Sequence, residues 1–530
     1  MGLTLETRKC FKRAASSRFL HEATLTRAER FPSSCSSVLR CFELFGPCGA
    51  SDYGCIVTVM RIAVLGGGVA GLATGLALAR EGHQVVVLEG DPLEPGPTSA
   101  HAFSWERRGL RHFLQPHAFL PRGRKEMREH FPDVYRTMLE EGAGEVDLRP
   151  KIPGPTRDED EELAFLAVRR PVIEWAFRRA VSAEEAIDLR GGVRVNGLIG
   201  KNGAVPEITG VDTSAGEVDA DLVVDAMGRR SSLPDWLVAL GGREPDTETF
   251  ECGVMYYTRY YQLRDDAVLP DGPWIPSPRA DLGYGAFASF PGDNHTLGVV
   301  LAIHPHDREL RALREPAAYE AAVATMKPLR QWLEAGDARP ITDVIPMGSL
   351  HNTIRRFVVD REPIALGVVP VGDALCHTDP FGALGLSFSL IHATGLARAA
   401  GAHGRDPHSL ALAFASDVGP EIEERFALMS GIDDARIRMW TGQSVDVAHR
   451  DGDYPLFTLA AAIAAGFVDP EIFRVAVRRS GMLDRTAVLD DDPEMQERIE
   501  RTFAKILESR PPRPGPTRDE LVEIVTASTE

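Results

Sequence analysis

Residues 60–91, MRIAVLGGGVAGLATGLALAREGHQVVVLEGD, constrain the fold more than any other stretch of the chain. Arg61–Leu65 is a short apolar run rich in β-branched residues, the composition of a strand buried in a parallel sheet. Gly66, Gly68 and Gly71 follow at the turn into a helical segment, Val69–Arg80. In such a Gly-x-Gly-x-x-Gly turn the first glycine permits the bend and the second lets the backbone approach a pyrophosphate. The third lets helix and strand pack closely. The helix N-terminus, with Val69 and Ala70, aims unpaired N–H groups at the phosphates. Gln84–Leu88 reads as a second buried strand and closes on Glu89, 23 residues beyond Gly66. An acid there accepts from a ribose hydroxyl, which favours FAD or NAD over NADP. With 49 glycines in 530 residues the triplet alone is weak, but the flanking strand, helix and acid give it the context of a dinucleotide-binding βαβ unit.

Length allows two to four domains and a large core. A net charge of −18 argues against nucleic-acid binding and against a broadly basic membrane-docking surface. No apolar run reaches membrane-spanning length; Leu456–Val468 is alanine-rich and suits a buried helix. Residues 1–59 differ from the rest. They hold five of the seven cysteines (Cys10, Cys35, Cys41, Cys48 and Cys55) and carry +3 against −21 for the remainder. A transit peptide and a small cysteine module are alternatives, but the spacings match no zinc pattern. The folded enzyme is expected to begin at Met60. Only Cys252 and Cys376 remain in the body, so no disulfide framework supports it, as in a reducing, cytoplasmic compartment.

Beyond the first unit, residues 101–120 carry Trp105, Arg107, Arg108, Arg111, His112, Gln115 and His117, which suits phosphates or a flavin ring as well as a solvated loop. Arg124–Glu141 reads as one amphipathic helix ending at Gly142, 153–162 as an exposed acidic loop, and Arg169–Ser182 as a helix. Ala220–Ala226 is a strand that runs into Asp225-x-x-Gly228-x-x-Ser231, a loop placed to meet a ligand at a strand's carboxyl end. Ser231 or Ser232 capping a helix at Leu233–Leu240 is the packing alternative. Glu251–Leu263, with Tyr256, Tyr257, Tyr260 and Tyr261, and Phe287–Ile303 predict a β-rich insertion that roofs a substrate cavity. His304–Leu333 returns to helix.

A third signal follows the strand-like run Ile364–Val371: Gly372-Asp373-Ala374, then Pro380, Gly382, Gly385 and a helix from Leu384 to Ala400. Asp373 suits the hydroxyls of a ribityl-like chain, and the helix N-terminus suits negative charge on a reduced ring. His377 is either a base or a hydrogen-bonded spectator. From Asp406 the chain reads as helical, with amphipathic runs at Pro420–Met429 and Pro493–Glu508, and it closes after Pro511–Pro516 in a polar tail.

Taken together, the three glycine-punctuated turns resemble the FAD-dependent monooxygenases of the aromatic-hydroxylase and squalene-epoxidase-like type, over roughly Met60 to Ala400. The resemblance implies an α/β fold: a Rossmann-like FAD-binding domain, a β-rich substrate domain and a helical C-terminal region. It divides the chain into an extension (1–59), FAD-binding segments (60–180, 181–245 and 346–405), a substrate domain (246–345) and a helical region (406–530). It assigns Gly66, Gly68, Val69, Ala70, Gly71 and Glu89 to the ADP half of FAD, and Asp225 and Gly228 to FAD and NAD(P)H. Gly372 and Asp373 fall to the ribityl and pyrophosphate region, and Pro380, Gly385 and Leu386 to the isoalloxazine. Arg107 or Arg108 is aligned with a flavin-contacting arginine. Electrons are expected from NADH or NADPH, directly or through a separate flavin reductase.

The implied reaction is hydroxylation or epoxidation of an apolar or aromatic small molecule through a flavin hydroperoxide, with no protein nucleophile and no metal. Cys376 stands where a histidine usually follows Gly-Asp-Ala, and Leu384-Gly385-Leu386-Ser387 replaces Gln-Gly-Met-Asn. Trp274-Ile275-Pro276 matches part of the halogenase Trp-x-Trp-x-Ile-Pro, with Gly272 in place of the first tryptophan. A reductase or halogenase of the same fold, and a non-catalytic nucleotide-binding protein, are the alternatives.

Overall fold

Five short parallel strands set up the site in the computed structural model, which describes residues 59–110, 112–509 and 512–528. The expectations for the first 58 residues and for Arg111 lie outside the described residues. From Met60 the chain builds β1 (Arg61–Leu65), α1 (Val69–Arg80) and β2 (Gln84–Glu89). Helices α2 (Pro121–His130), α3 (Pro132–Glu140) and α4 (Arg170–Ala183) precede β3 (Ile187–Gly191). A three-stranded meander leads to β4 (Leu222–Asp225) and α5 (Leu233–Ala239). A second lobe carries β5 (Met255–Gln262), β6 (Arg279–Asp281), β7 (Gly285–Pro291), β8 (Thr296–Ile303), α6 (Pro316–Thr325), α7 (Lys327–Ala335) and β9 (Ile345–Met347). The chain returns through β10 (Val368–Pro370) to α8 (Leu384–His403) and α9 (Pro407–Trp440). Among the helices that follow are α10 (Pro470–Ser480), α11 (Pro493–Glu508) and α12 (Arg518–Ala527).

The main sheet runs β10-β4-β1-β2-β3 with every pair parallel. Its central strands are buried on both faces, as their unbroken apolar runs require. The register places Leu65 beside Asp225 and Asp225 beside Pro370, so β1, β4 and β10 end level with one another. One core joins α1, α4, α8 and α9 against this sheet. The lobe is an antiparallel sheet in the order β6-β7-β8-β5, with β9 also paired to β5. It has its own core beneath α6 and α7. The α/β class, the β-rich segment and the C-terminal helices agree with the sequence-based expectation.

Several element boundaries differ from that expectation, each for a local reason. The helix expected over Arg124–Glu141 is two helices, because Pro132 lacks an N–H and its ring pushes Phe131 out of the helical region, to φ −132 and ψ 49. The strand expected from Glu251 starts at Met255, after Gly253 turns the chain at φ +59. His304–Leu333 resolves into a short 3₁₀ turn followed by α6 and α7. The acidic segment 153–162 is not wholly exposed: Asp160 is buried and accepts from Arg474 Nε and Nη2 at 2.8 and 2.9 Å. The Pro420–Met429 run lies inside the 34-residue α9, which continues through Pro420.

The expected polar tail is instead a docked helix. Thr517 and Glu520 form a reciprocal capping box at the start of α12, and Leu521 and Val525 enter the core of the β-rich lobe. Arg518 pairs with Asp307 and Glu309 at 2.8 and 2.7 Å, fixing the helix to that lobe. Leu521→Ala is expected to destabilise the protein by about 2–5 kcal/mol, while Leu507→Ala, at an exposed position of α11, should change stability by less than about 0.5 kcal/mol. Urea unfolding of the two variants checks the pair, and equal effects would contradict the docking of α12.

Candidate active site

The glycine turns sort into those that packing demands and those that face open space. At Gly66 (φ +105) a Cβ would lie 2.6 Å from the Ala226 carbonyl oxygen, and at Gly71 1.9 Å from that of Gly66. These two let the turn fold onto itself and onto the end of β4. At Gly372 (φ +58) a Cβ would meet the Ala70 Cβ at 2.6 Å, so the third loop rests directly on the first turn of α1. Gly68, Gly228 and Gly385 are different. A Cβ there would meet nothing nearer than Arg170 Nη2 at 3.8 Å, nothing within 4 Å, and Asp373 Oδ1 at 3.9 Å respectively. Chain segments 66–71, 225–231 and 372–385 thus converge at one end of the sheet, and each contributes a bare backbone stretch to it.

Side chains lock this convergence. Asp225 is buried; its carboxylate accepts from Met227 N at 3.0 Å and from the Ser231 hydroxyl. Burial raises its pKa to about 6, against the pull of those hydrogen bonds. Ser231 Oγ also accepts from Leu233 N at 3.0 Å, so the residue both serves the motif and supports the start of α5. Arg355 ties the second and third loops together by donating to the carbonyls of Arg229 and Ala374, each at 3.1 Å. His392 on α8 accepts from Gly372 N at 2.9 Å through Nδ1; burial drops its pKa to about 3, so it stays a neutral acceptor. His377 lies beside Asp373, and burial lowers its pKa with Asp373 opposing.

At the end of β2, Glu89 accepts from Gly67 N at 3.0 Å and Asp91 N at 2.9 Å. Arg107 pairs with it at 3.2 Å and also reaches Asp91 (3.5 Å) and Glu174 (3.4 Å). Arg107 therefore sits with Glu89, while Arg178 Nη2 holds the Gly67 carbonyl at 3.0 Å. A second cluster adjoins it. Arg170 donates from Nε to Glu174 (2.9 Å) and from Nη1 to His112 Nε2 (3.0 Å) and His117 Nε2 (3.2 Å). His117 donates from Nδ1 to the Gln115 carbonyl at 2.7 Å. Burial and the neighbouring Arg170 hold His112 well below its ordinary pKa and His117 at about 3, so both rings are neutral acceptors. Gln115 in turn accepts from Thr258 of β5 at 2.6 Å, joining this segment to the β-rich lobe.

The loop before α8 is held from behind by a buried charge network. Asp379 accepts from the Tyr256 hydroxyl at 2.6 Å and from Arg436 Nη2 at 2.5 Å. The same nitrogen reaches Asp433 at 2.7 Å, and Asn352 links Asp379 N (2.6 Å) to Asp433 (2.8 Å). Burial and the Asp379 charge raise the Asp433 pKa to about 8. Cys252, Asp379 and Asp433 have ligand atoms within 4.8 Å of one another, a spacing suited to a metal. Arg436 already supplies the positive charge there. Arg355, Arg170, Arg436 and His392 carried no sequence signal, since each is one polar residue on a strand or helix whose partners lie far along the chain.

A βαβ nucleotide unit with an acid at its second strand is joined at one sheet end by two further glycine loops. Residues 61–203 match the FAD dependent oxidoreductase family. Protein Rv3254 of Mycobacterium tuberculosis (strain ATCC 25618 / H37Rv) is 26% identical over 366 residues, spanning 63% of this chain and 72% of the relative. Among solved structures, the flavin-dependent brominase Bmp2 superposes with TM-score 0.55 at 16% identity, covering 86% of this chain and 99% of its own. PqsL of Pseudomonas aeruginosa, named a probable FAD-dependent monooxygenase, gives 0.51 at 14% (72% and 98% covered). OxyS anhydrotetracycline hydroxylase of Streptomyces rimosus gives 0.51 at 16% (80% and 76%). The chain has the fold that these flavoproteins share.

Two outcomes test this geometry. Gly71→Ala is expected to destabilise the protein by about 3 kcal/mol or more, because no side chain fits between α1 and the Gly66 carbonyl. Gly68→Ala, with room for its methyl, should stay within about 1 kcal/mol of wild type in thermal unfolding. The second outcome concerns pH. An acid with a raised folded pKa contributes its full stability below its unfolded value of 3.8 and loses it as pH rises through about 8. Asp433→Asn should therefore flatten the fall in melting temperature between those pH values, and an unchanged slope would exclude Asp433 as its source.

Proposed function

We propose that the protein is an FAD-dependent monooxygenase that hydroxylates or epoxidises an apolar or aromatic small molecule. The observation that carries the reading is the convergence of the three bare loops at the level ends of β1, β4 and β10. The residues present fit FAD. Gly68 opens α1 with no side-chain cap, so the backbone N–H groups of Gly68, Val69, Ala70 and Gly71 are available to a diphosphate. Glu89 accepts from Gly67 N and Arg107 through Oε2 and from Asp91 N through Oε1, which leaves a lone pair on Oε1 suited to a ribose hydroxyl. Arg170 Nη2 faces the open side of Gly68 and adds a cation to the diphosphate site.

Asp225 and Gly228 border the same crevice, and Gly372 and Asp373 are assigned to the ribityl region. Pro380, Gly385 and Leu386 at the N-terminus of the 20-residue α8 are assigned to the ring, where the helix dipole favours negative charge. When bound, FAD supplies the electron transfer and oxygen activation. The chain's own task is to orient substrate against the ring and exclude water, with the β-rich lobe covering the crevice. The neutral rings of His112 and His117 accept hydrogen bonds there but are poor bases at neutral pH. NADH or NADPH is the proposed electron source, directly or through a separate reductase.

The likeness to a brominase over 86% of the chain supports a second reading, halogenation. The Trp274 ring, however, packs edge-on to Trp332 at 6.4 Å, and a Cβ at Gly272 would lie 2.1 Å from it. This tryptophan belongs to the lobe's core rather than to the crevice.

Purified protein is expected to show a flavin absorption spectrum and to oxidise NADH or NADPH, alone or with a flavin reductase, with oxygen uptake that rises on adding substrate. Label from molecular oxygen should enter the product. A colourless protein that binds no added FAD would sink the reading, and product without label, or with halide, would select the reductase or halogenase.

A further inference from the structure

The antiparallel lobe has two unlike faces. Tyr257, Tyr261, Phe287, Val299 and Leu301 point into the core beneath α6, α7 and α12. On the opposite face, register aligns Thr258, Val300, Ala288 and Arg279 in one row across β5, β8, β7 and β6. Tyr260, Gly298 and Phe290 form the next row. This face is turned to the flavin-side loops: the Tyr256 hydroxyl reaches Asp379 and Thr258 reaches Gln115. Trp440 covers the row on one side, packing with Ala286, Val300 and Ala302 and donating to Asp281 at 3.1 Å. Pro116 covers the other, against Gly298. Between them Ala288 and Phe290 stay half-buried and Arg279 stays accessible.

Arg279 is a charge without a counterion. Among the described residues its guanidinium makes no ion pair or hydrogen bond, and it lies over the Phe290 ring, 5.8 Å from the centroid. It meets solvent, yet the protein surrounds it closely enough to lower its pKa to about 10 with no acid offsetting the shift. The neighbouring carboxylate, Asp281, is engaged by Trp440 Nε1 and by Gly283 N at 2.7 Å.

Resting on the flavin reading above, we propose that Arg279 binds the carboxylate of an apolar or aromatic acid and selects such acids as substrates. A partly desolvated guanidinium gains most from a ligand that brings the opposite charge, and its planar fork matches a carboxylate with two parallel hydrogen bonds. Ala288 and Phe290 offer the adjoining apolar wall. Three interstrand steps of about 4.8 Å separate β6 from β5. A molecule anchored at Arg279 therefore needs an apolar body to reach the loops at Tyr256 and Gln115.

The test titrates FAD-loaded protein with benzoate, naphthoate and decanoate and with their primary amides, by calorimetry and by perturbation of the flavin spectrum. At least one acid should bind, its amide at least about tenfold more weakly. R279M should weaken that acid by at least about tenfold and leave flavin content, melting temperature and amide binding unchanged, with R279K intermediate. No binding by any acid, equal binding of acid and amide, or wild-type acid affinity in R279M would each overturn the proposal. Acid binding that depends on Arg279 in a protein that takes up no flavin would uphold the anion site and overturn the flavin reading instead.

Discussion

Parallel hydrogen bonding among β10, β4 and β1 is the constraint on which the rest of the molecule depends. Because Leu65, Asp225 and Pro370 stand in register, three loops remote in sequence leave the sheet at one level and must share one crevice. The backbone itself closes the arrangement: Ala226 N donates to the Leu65 carbonyl and Val371 N to the Asp225 carbonyl, at 2.9 and 2.8 Å. Any slip of β10 against β4 would part Gly372 from Ala70 and leave Arg355 unable to bridge its two carbonyls. The β-rich lobe is inserted between β4 and β10 without disturbing their pairing, so its shape is free to vary while the crevice stays fixed.

What was legible in the sequence is what local chemistry encodes. Gly66 and Gly71 announce themselves because no other residue fits a turn where a Cβ would collide with backbone. Continuous apolar runs identify β1, β4 and β10 because both faces are buried. Asp225 and Gly372 are legible as parts of strand-then-glycine patterns. The fixing residues are not. Arg436 on α9 looks like one polar position in a solvated helix until the fold brings Asp379 and Tyr256 to it. Arg170 and Glu174 are an i,i+4 pair of the kind found on many exposed helices, yet both are buried here. The α12 helix was illegible for a different reason: ten residues carry too little periodicity, and its two anchors find their core in a distant lobe.

Buried charge is concentrated where loops must be held, and it is balanced locally. Arg107 and Arg178 sit among Glu89, Asp91 and Glu174, and Arg436 sits between Asp379 and Asp433. Removing one member of such a set leaves an uncompensated charge, typically about 3–5 kcal/mol, whereas the intact set contributes little net stability. Position is therefore a better account of these groups than stability. Tyr256 adds to this, because its hydroxyl carries the fastening of the Asp379 loop across to the sheet of the other lobe.

The same logic fixes the protonation of several buried groups around the crevice. His112, His117 and His392 are each pinned as neutral acceptors by burial, and Asp225 spends its carboxylate on Met227 N and Ser231. Many polar side chains here bond to loops and to one another, and bare backbone remains at Gly68, Gly228 and Gly385. That division suits an enzyme whose reactive centre is a bound cofactor, which the loops hold and orient.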